Sequence, residues 1–179
     1  MKNKRQIRIW AILLISLLVS CADGSKKTTE QKEQMQLERK KVIYQVFTRL
    51  FGNTHTTNTA WGTLEENGVG KFSDFSDKAL QEIKSLGVTH IWYTGVPHHA
   101  LVTDYSEYGI SADDPDVVKG RAGSPYAVKD YYNVNPDLAN DPNNRLGEFQ
   151  ELIDRTHQAG LKLLIDIVPN HVARNYEGA

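Results

Sequence analysis

The chain has 179 residues, with 21 Lys and Arg against 22 Asp and Glu, and a single cysteine, Cys21. One cysteine excludes an intramolecular disulfide. A formal net charge of −1 without a basic patch argues against nucleic acid as a partner.

The first twenty residues are predicted to be a bacterial lipoprotein signal peptide. Basic side chains within residues 2–8 precede an apolar run at residues 9–19. A helix of that run is about 16 Å long, too short to cross a hydrocarbon core of about 30 Å, so the segment is not an anchor. Residues 18–21, Leu-Val-Ser-Cys, resemble a lipobox. We therefore expect lipidation of Cys21, a membrane partner through that lipid and a location in the cell envelope, on its periplasmic or cell-surface face. An ordinary signal peptide with an incidental cysteine is the alternative.

Residues 21–41 are interpreted as the acylated cysteine and a polar tether, which leaves residues 42–179 as the globular part. Between residues 22 and 41 the only large apolar side chains are Met35 and Leu37, too few for a core-facing stripe. Loss of residues 1–20 removes four basic and no acidic side chains and leaves a net charge of −5.

Residues 42–48 are β-branched and aromatic, as in a buried strand. The loop at residues 51–71 is rich in Gly, Asn and Thr, and Asn67-Gly68 favours a short hairpin. Trp61 in this loop is interpreted as a lid packed over the end of the sheet, with a sugar platform as the alternative.

A unit of helix, glycine and strand then occurs twice. In the first, Ser73 or Asp74 caps a helix whose apolar stripe spans residues 75–86, and a strand follows at residues 88–94. In the second, the stripe at residues 149–156 precedes a strand whose aliphatic run favours burial on both faces. Gly87 and Gly160 are the expected left-handed ends of the two helices, and the second strand covers residues 161–165.

The resulting βαβαβ order predicts a parallel sheet. A doubly wound open sheet and a (β/α)8 barrel both fit this order. No G-x-G-x-x-G motif follows the first strand, so the dinucleotide-binding form of the open sheet loses its main support.

About fifty residues, 95–145, separate the second strand from the second helix and are predicted to be irregular. Five tyrosines make the segment too aromatic for disorder. The neighbouring His98 and His99 are not expected to bind a metal, because adjacent side chains point apart and no Cys or carboxylate lies at ligand spacing.

Polar side chains follow the last strand directly. Asp166 interrupts the apolar run, Pro169 prevents further pairing, and Asn170 and His171 come next. A carboxylate, an amide and an imidazole thus collect at one strand end, which in a (β/α)8 barrel is the rim that carries active sites. A core strand with a polar capping loop is the alternative.

Several segments resemble, in order, those of the α-amylase family, glycoside hydrolase family 13. They are the first strand, the strand at residues 88–94, the tyrosine-rich segment at residues 126–136, and the D-x-x-x-N-H spacing of residues 166–171. The resemblance implies an α/β fold, the N-terminal part of a (β/α)8 barrel with about three βα units. It also implies activity on an α-glucan.

The resemblance further assigns a role to each matching residue. Tyr126 would stack on the sugar of subsite −1, His171 would hydrogen-bond that sugar, and Asp166 would support the site. Asn170 would be a calcium ligand, since an amide oxygen is a hard donor.

Family members are retaining glycosidases, in which two carboxyl groups about 5–5.5 Å apart flank the scissile bond. The strands that carry those carboxylates in the family do not occur before Ala179, so we expect residues 22–179 alone to fold poorly and to release no sugar from starch. A non-enzymatic glycan-binding lipoprotein and a transglycosylase of the same family are the alternatives. An Arg-x-Asp and then a Glu at the next strand ends would decide for an enzyme.

Overall fold

The computed structural model describes residues 40–177. The predicted signal peptide, the predicted lipidation site Cys21 and nearly all of the predicted tether therefore lie outside the described residues. In chain order the elements are β1 (Ile43–Phe47), α1 (Leu64–Asn67), α2 (Asp77–Ser85), β2 (His90–Thr94), β3 (Pro97–His99), β4 (Val128–Val134), α3 (Arg145–Gln158) and β5 (Lys162–Ile165). Within residues 40–177, no helix has the length and apolar character needed to span a bilayer.

The main sheet has three parallel strands in the order β1, β2, β5. Gln45 lies opposite Trp92, and Trp92 lies opposite Leu164, so these three residues share one face. Helix α2 connects β1 to β2, and α3 connects β2 to β5. The predicted βαβαβ order is confirmed.

The core lies between the sheet and its two long helices. Tyr93 is fully buried there, its ring edge faces Phe75 at a centroid distance of 4.9 Å, and its hydroxyl lies 2.8 Å from Thr156 Oγ1. Burial raises the pKa of Tyr93 to about 12, so the phenol remains a neutral hydrogen-bonding group. Leu80 and Leu152, one from each long helix, are also fully buried.

Strand β5 is not buried on both faces, contrary to the prediction from its aliphatic run. Leu164 is 37% exposed and Ile165 is 38% exposed, and Lys162 is exposed as well. Among the described residues β5 pairs only with β2, so one edge of β5 has no neighbouring strand, and both faces are partly exposed because Leu164 and Ile165 point to opposite sides.

Two of the predicted local structures are wrong at the residue level. Helix α2 begins later than predicted, with Ser76 as its N-cap, because Asp74 accepts a hydrogen bond of 2.7 Å from the Lys71 amide inside a separate 3-10 turn. Before Gly68 the chain forms the short helix α1 and not a hairpin, because Thr63 and Glu66 form a reciprocal capping box.

The segment at residues 95–145 is more regular than predicted. Strands β3 and β4 pair antiparallel, with His98 opposite Asp130 and irregular register on both sides of His98. This small sheet follows the carboxyl end of β2 in the chain, so it begins at the edge of the main sheet where polar side chains were predicted to collect.

Candidate functional site

Asp166 follows β5 directly and contacts the neighbouring strand. Its Oδ1 accepts a hydrogen bond from the indole Nε1 of Trp92. Its Oδ2 is buried and has no hydrogen-bond partner among the described residues. A buried carboxylate oxygen without a donor costs free energy, so Asp166 retains an acceptor that a ligand or another part of the protein can satisfy.

Asn170 and His171 are exposed and contact each other. His171 Nδ1 lies 2.7 Å from Asn170 Oδ1. Because an amide oxygen only accepts, this contact places the proton of a neutral imidazole on Nδ1 and leaves Nε2 as an acceptor. The arrangement suits an imidazole that accepts a hydrogen bond from a sugar hydroxyl.

Strand β4 holds the segment around His171 on both sides. The Tyr131 hydroxyl donates to the Val168 carbonyl at 2.7 Å, and the Ala173 amide donates to the Val128 carbonyl at 2.8 Å. Tyr126 lies two positions before Val128, and His171 lies two positions before Ala173. The structure thus joins the two segments that carry the predicted sugar contacts.

Tyr126 itself is 38% exposed, and its amide donates to Ser124 Oγ at 3.4 Å. None of Tyr126, Asp166, Asn170 and His171 lines either of the two cavities described below. The joint contact of Tyr126 and His171 with one sugar ring, with Asp166 in support, stays a prediction.

The described residues do not by themselves fit a calcium ion. Calcium takes about six to eight oxygen ligands. Asn170 Oδ1 is already paired with His171, and no three His, Cys, Asp or Glu side chains within residues 40–177 gather in a metal-binding group. Calcium therefore stays a prediction that requires oxygen ligands from outside this part of the chain.

Sequence analysis missed a buried charged group beside the site. Lys129 is fully buried, its Nζ lies 3.1 Å from Asp113 Oδ1, and it donates to the Ser111 carbonyl at 2.5 Å. The Glu177 amide donates to the Lys129 carbonyl at 2.8 Å. This lysine secures β4 between two loops, but nothing in its sequence context distinguishes it from a surface lysine.

His98 and His99 are both buried, and they have different surroundings. His99 Nδ1 lies 3.1 Å from the Pro97 carbonyl and its Nε2 lies 3.0 Å from the Ala122 carbonyl. Neither ring nitrogen of His98 has a partner among the described residues. Burial lowers the pKa of His98 to about 4, so the ring is neutral at pH 7.

A cavity lies beside Asp113, the buried partner of Lys129. Its volume is about 410 Å³, and Asp113, Asp116, Ala173 and Arg174 are among its lining residues. Carboxylates and a guanidinium share its wall.

The comparisons with known proteins decide the family. A family model described as "Alpha amylase, catalytic domain" matches residues 45–178. The chain belongs to the α-amylase family. Family membership accounts for the parallel βαβαβ order.

Relatives in this family carry different activities in their names. Pullulanase A of Streptococcus pneumoniae is 29% identical over 136 residues, which are 74% of this chain and 10% of that protein. Trehalose-6-phosphate hydrolase of Bacillus subtilis is 25% identical over 81% of this chain and 19% of its own length. The crystal structure of an α-amylase from Lactobacillus plantarum aligns with a TM-score of 0.51 and 30% identity, over 75% of this chain and 24% of that one.

These findings confirm the predicted fold class, part of a (β/α)8 barrel with a parallel sheet, and the predicted family. The chain spans between a tenth and a quarter of the length of these relatives. The activity of the whole protein is therefore a matter for proposal.

Proposed function

We propose that the chain contributes the sugar-binding strand ends of a retaining glycoside hydrolase that acts on an α-glucan with α-1,4 linkages. The observation that carries the proposal is a pair of hydrogen bonds between β4 and the segment on either side of His171. Tyr131 donates to Val168, and Ala173 donates to Val128. They hold the imidazole segment against the strand that follows Tyr126. Asp166 supports the same strand end through Trp92.

The proposed contacts suit a sugar ring. An exposed phenol offers an aromatic face to axial C–H groups, and the Nε2 acceptor of His171 is available for a hydroxyl. In a retaining mechanism two further carboxyl groups about 5–5.5 Å apart act as nucleophile and acid. Tyr126 and His171 contact the sugar and Asp166 supports the site, and none of the three is given either of those two roles.

Changing Tyr126 to alanine is expected to weaken maltoheptaose binding about tenfold, because the stacking face is lost. Isothermal titration calorimetry measures the dissociation constant. Tyr126→Phe retains the ring and should bind like the parent, and Tyr132→Ala removes another exposed tyrosine as a matched control. Equal affinity of Tyr126→Ala and Tyr132→Ala would contradict the assignment.

Hydrolysis separates the enzyme from the glycan-binding alternative. We expect His171→Ala to lower the rate of reducing-sugar release from amylose about a hundredfold in a protein that also contains the catalytic carboxylates. The initial product should keep the anomeric configuration of the substrate, as NMR can follow. Saturable binding without any hydrolysis by the parent protein would favour the glycan-binding lipoprotein, and transfer to an added maltose would favour the transglycosylase.

We also propose that Cys21 is acylated and holds the protein at the cell envelope. The support is the sequence alone, an apolar run of signal-peptide length followed by Leu-Val-Ser-Cys. Cys21→Ser is expected to abolish incorporation of a radiolabelled fatty acid and to move the protein from the membrane to the soluble fraction. Equal labelling of the Cys21→Ser variant would contradict the proposal.

A further inference from the structure

A cavity of about 140 Å³ is lined by none of the three predicted sugar residues, Tyr126, Asp166 and His171. The loop that follows β1 lines it, together with Thr103 and Arg121 from the segment after β3. Its chemically distinctive lining residues are Arg49, Trp61, Asn67, Thr103, Arg121 and Asp137. At about 30 Å³ per water in the liquid, this volume corresponds to about five water molecules, a space on the scale of one sugar ring.

Trp61 presents an indole ring that is 60% exposed, although the backbone around it is tightly held. The prediction that this side chain packs as a lid is wrong. Asn67 fixes the turn, since its amide group accepts from Thr59 N and donates to Thr59 O, each at 2.9 Å. The Gly62 amide donates to the same Thr59 carbonyl at 3.0 Å.

The backbone of Trp61 is also strained, because its φ is +62°. A bulky residue rarely adopts that conformation, and strain of this kind costs about 1–3 kcal/mol. At the neighbouring Gly62, an added Cβ would lie 2.5 Å from Asn67 Nδ2, so the turn under Trp61 leaves no room for a side chain. Because the indole is exposed, its burial does not offset this cost. An exposed aromatic ring on a strained and tightly held turn suits a ligand platform.

The polar part of the cavity is preorganised. Arg49 Nη1 lies 3.4 Å from Asp137 Oδ2, and the Tyr105 hydroxyl donates to Asp137 Oδ1 at 2.8 Å. Burial raises the pKa of Tyr105, and the adjacent Asp137 carboxylate raises it further, so the phenol keeps its proton. Arg49 has further N–H groups beyond the one that faces Asp137, and its side chain is 15% exposed.

These groups suit a neutral, polyhydroxylated ligand. Asp137 within the cavity neutralises Arg49, so the lining carries only the one net positive charge of Arg121, which is a weak attraction for a dianion such as phosphate. An aromatic ring packs on the face of a pyranose, and guanidinium and amide groups form hydrogen bonds with its hydroxyls.

We propose that this cavity is a second sugar subsite, which binds one pyranose ring of a glucan against Trp61 with its hydroxyls held by Arg49 and Arg121. The choice of a glucan rests on the proposed function. Neither Tyr126 nor His171 lines the proposed subsite.

The test is a titration of the ¹⁵N-labelled protein with maltoheptaose, followed through the indole N–H resonance of Trp61. We expect a saturable shift of this resonance that persists in the double variant Tyr126→Ala, His171→Ala. In that double variant, Trp61→Gly should raise the dissociation constant for maltoheptaose about tenfold, because the stacking ring is lost. Glycine suits the positive φ at this position, so the loop is retained.

The outcomes separate the two proposals. A silent Trp61 resonance, with binding that depends on Tyr126, overturns the second subsite and leaves the proposed function intact. A shift at Trp61 together with wild-type affinity in the Tyr126 and His171 variants supports the subsite and overturns the assignment of the first site. Absence of any sugar-dependent change overturns both. A Trp61 shift with sodium phosphate but not with maltoheptaose identifies an anion site and overturns the subsite.

Discussion

Lys129→Met is expected to lower the free energy of unfolding by about 3–5 kcal/mol, since it leaves a buried carboxylate without its partner. Lys129 is fully buried and the Asp113 side chain is 4% exposed, so the carboxylate that loses its ammonium partner stays largely desolvated. Glu177 also lies 3.6 Å from Lys129 Nζ, but its side chain is 41% exposed and should contribute little. Urea denaturation of the purified protein measures the change.

The controls separate charge from side-chain loss. Lys119→Met removes an exposed lysine and should change the unfolding free energy by less than about 0.5 kcal/mol. The double variant Lys129→Met, Asp113→Asn removes both charges and should recover part of the stability. A cost below about 1 kcal/mol for Lys129→Met would show that the pair is not buried in solution.

The sequence predicts the parts of this fold that depend on periodic patterns and on glycine. Apolar spacing identified both long helices, and Gly87 and Gly160 do adopt the left-handed conformation, with φ of +83° and +72°. These signals are local, since they follow from helix geometry and from the absence of a Cβ. The family was also readable, because its motif residues lie at fixed positions beside strand ends.

Local signals for helix starts were present but were assigned to the wrong residues. Thr63 and Glu66 have the spacing of a capping box, which identifies α1 from sequence, yet Asn67-Gly68 was interpreted as a hairpin. Ser73, Asp74 and Ser76 are all candidate caps in sequence. A local hydrogen bond from the Lys71 amide, three positions earlier, uses Asp74 in a separate turn and removes it from the set.

Burial was the quantity that the sequence predicted least well. The aliphatic run of β5 has the composition of a strand covered on both faces, but burial depends on which elements lie beside it. The short strand β3 has irregular pairing, so its residues follow neither the period of a helix nor that of a strand. The same reasoning explains why Lys129 and His98 were not recognised as core residues.

For the candidate site, sequence supplied the residue identities and structure supplied the connections. The spacing of Asp166, Asn170 and His171 is visible in the chain, but the hydrogen bonds from β4 that fix this segment come from residues about forty positions earlier. The contact between Trp92 and Asp166 likewise joins two strands. Trp61 gave no periodic signal, and only its positive φ and its exposure distinguish it from a packed loop residue.

Acid is expected to destabilise the protein through His98. The pKa of this histidine falls from 6.5 to about 4 on folding, because burial disfavours the imidazolium and Lys129 and His99 repel it, while Asp113 and Asp130 oppose the shift. Between those pH values the unfolded chain binds more protons than the folded chain, so the free energy of unfolding rises with pH. The contribution is fully present above about pH 6.5, and about 3 kcal/mol of it is lost as the pH falls to about 4.

Replacement of His98 by leucine tests this mechanism. Both ring nitrogens are buried without partners, so an apolar side chain of similar size removes two unsatisfied polar atoms together with the titrating group. We expect His98→Leu to be at least as stable as the parent at pH 7, and more stable by about 2–3 kcal/mol near pH 4.5, in urea unfolding at both pH values. His157→Gln changes an exposed histidine and should keep the parent's pH dependence. An unchanged pH dependence in His98→Leu would assign the acid sensitivity to other groups, foremost His99, whose pKa burial also lowers although two carbonyl contacts oppose the shift.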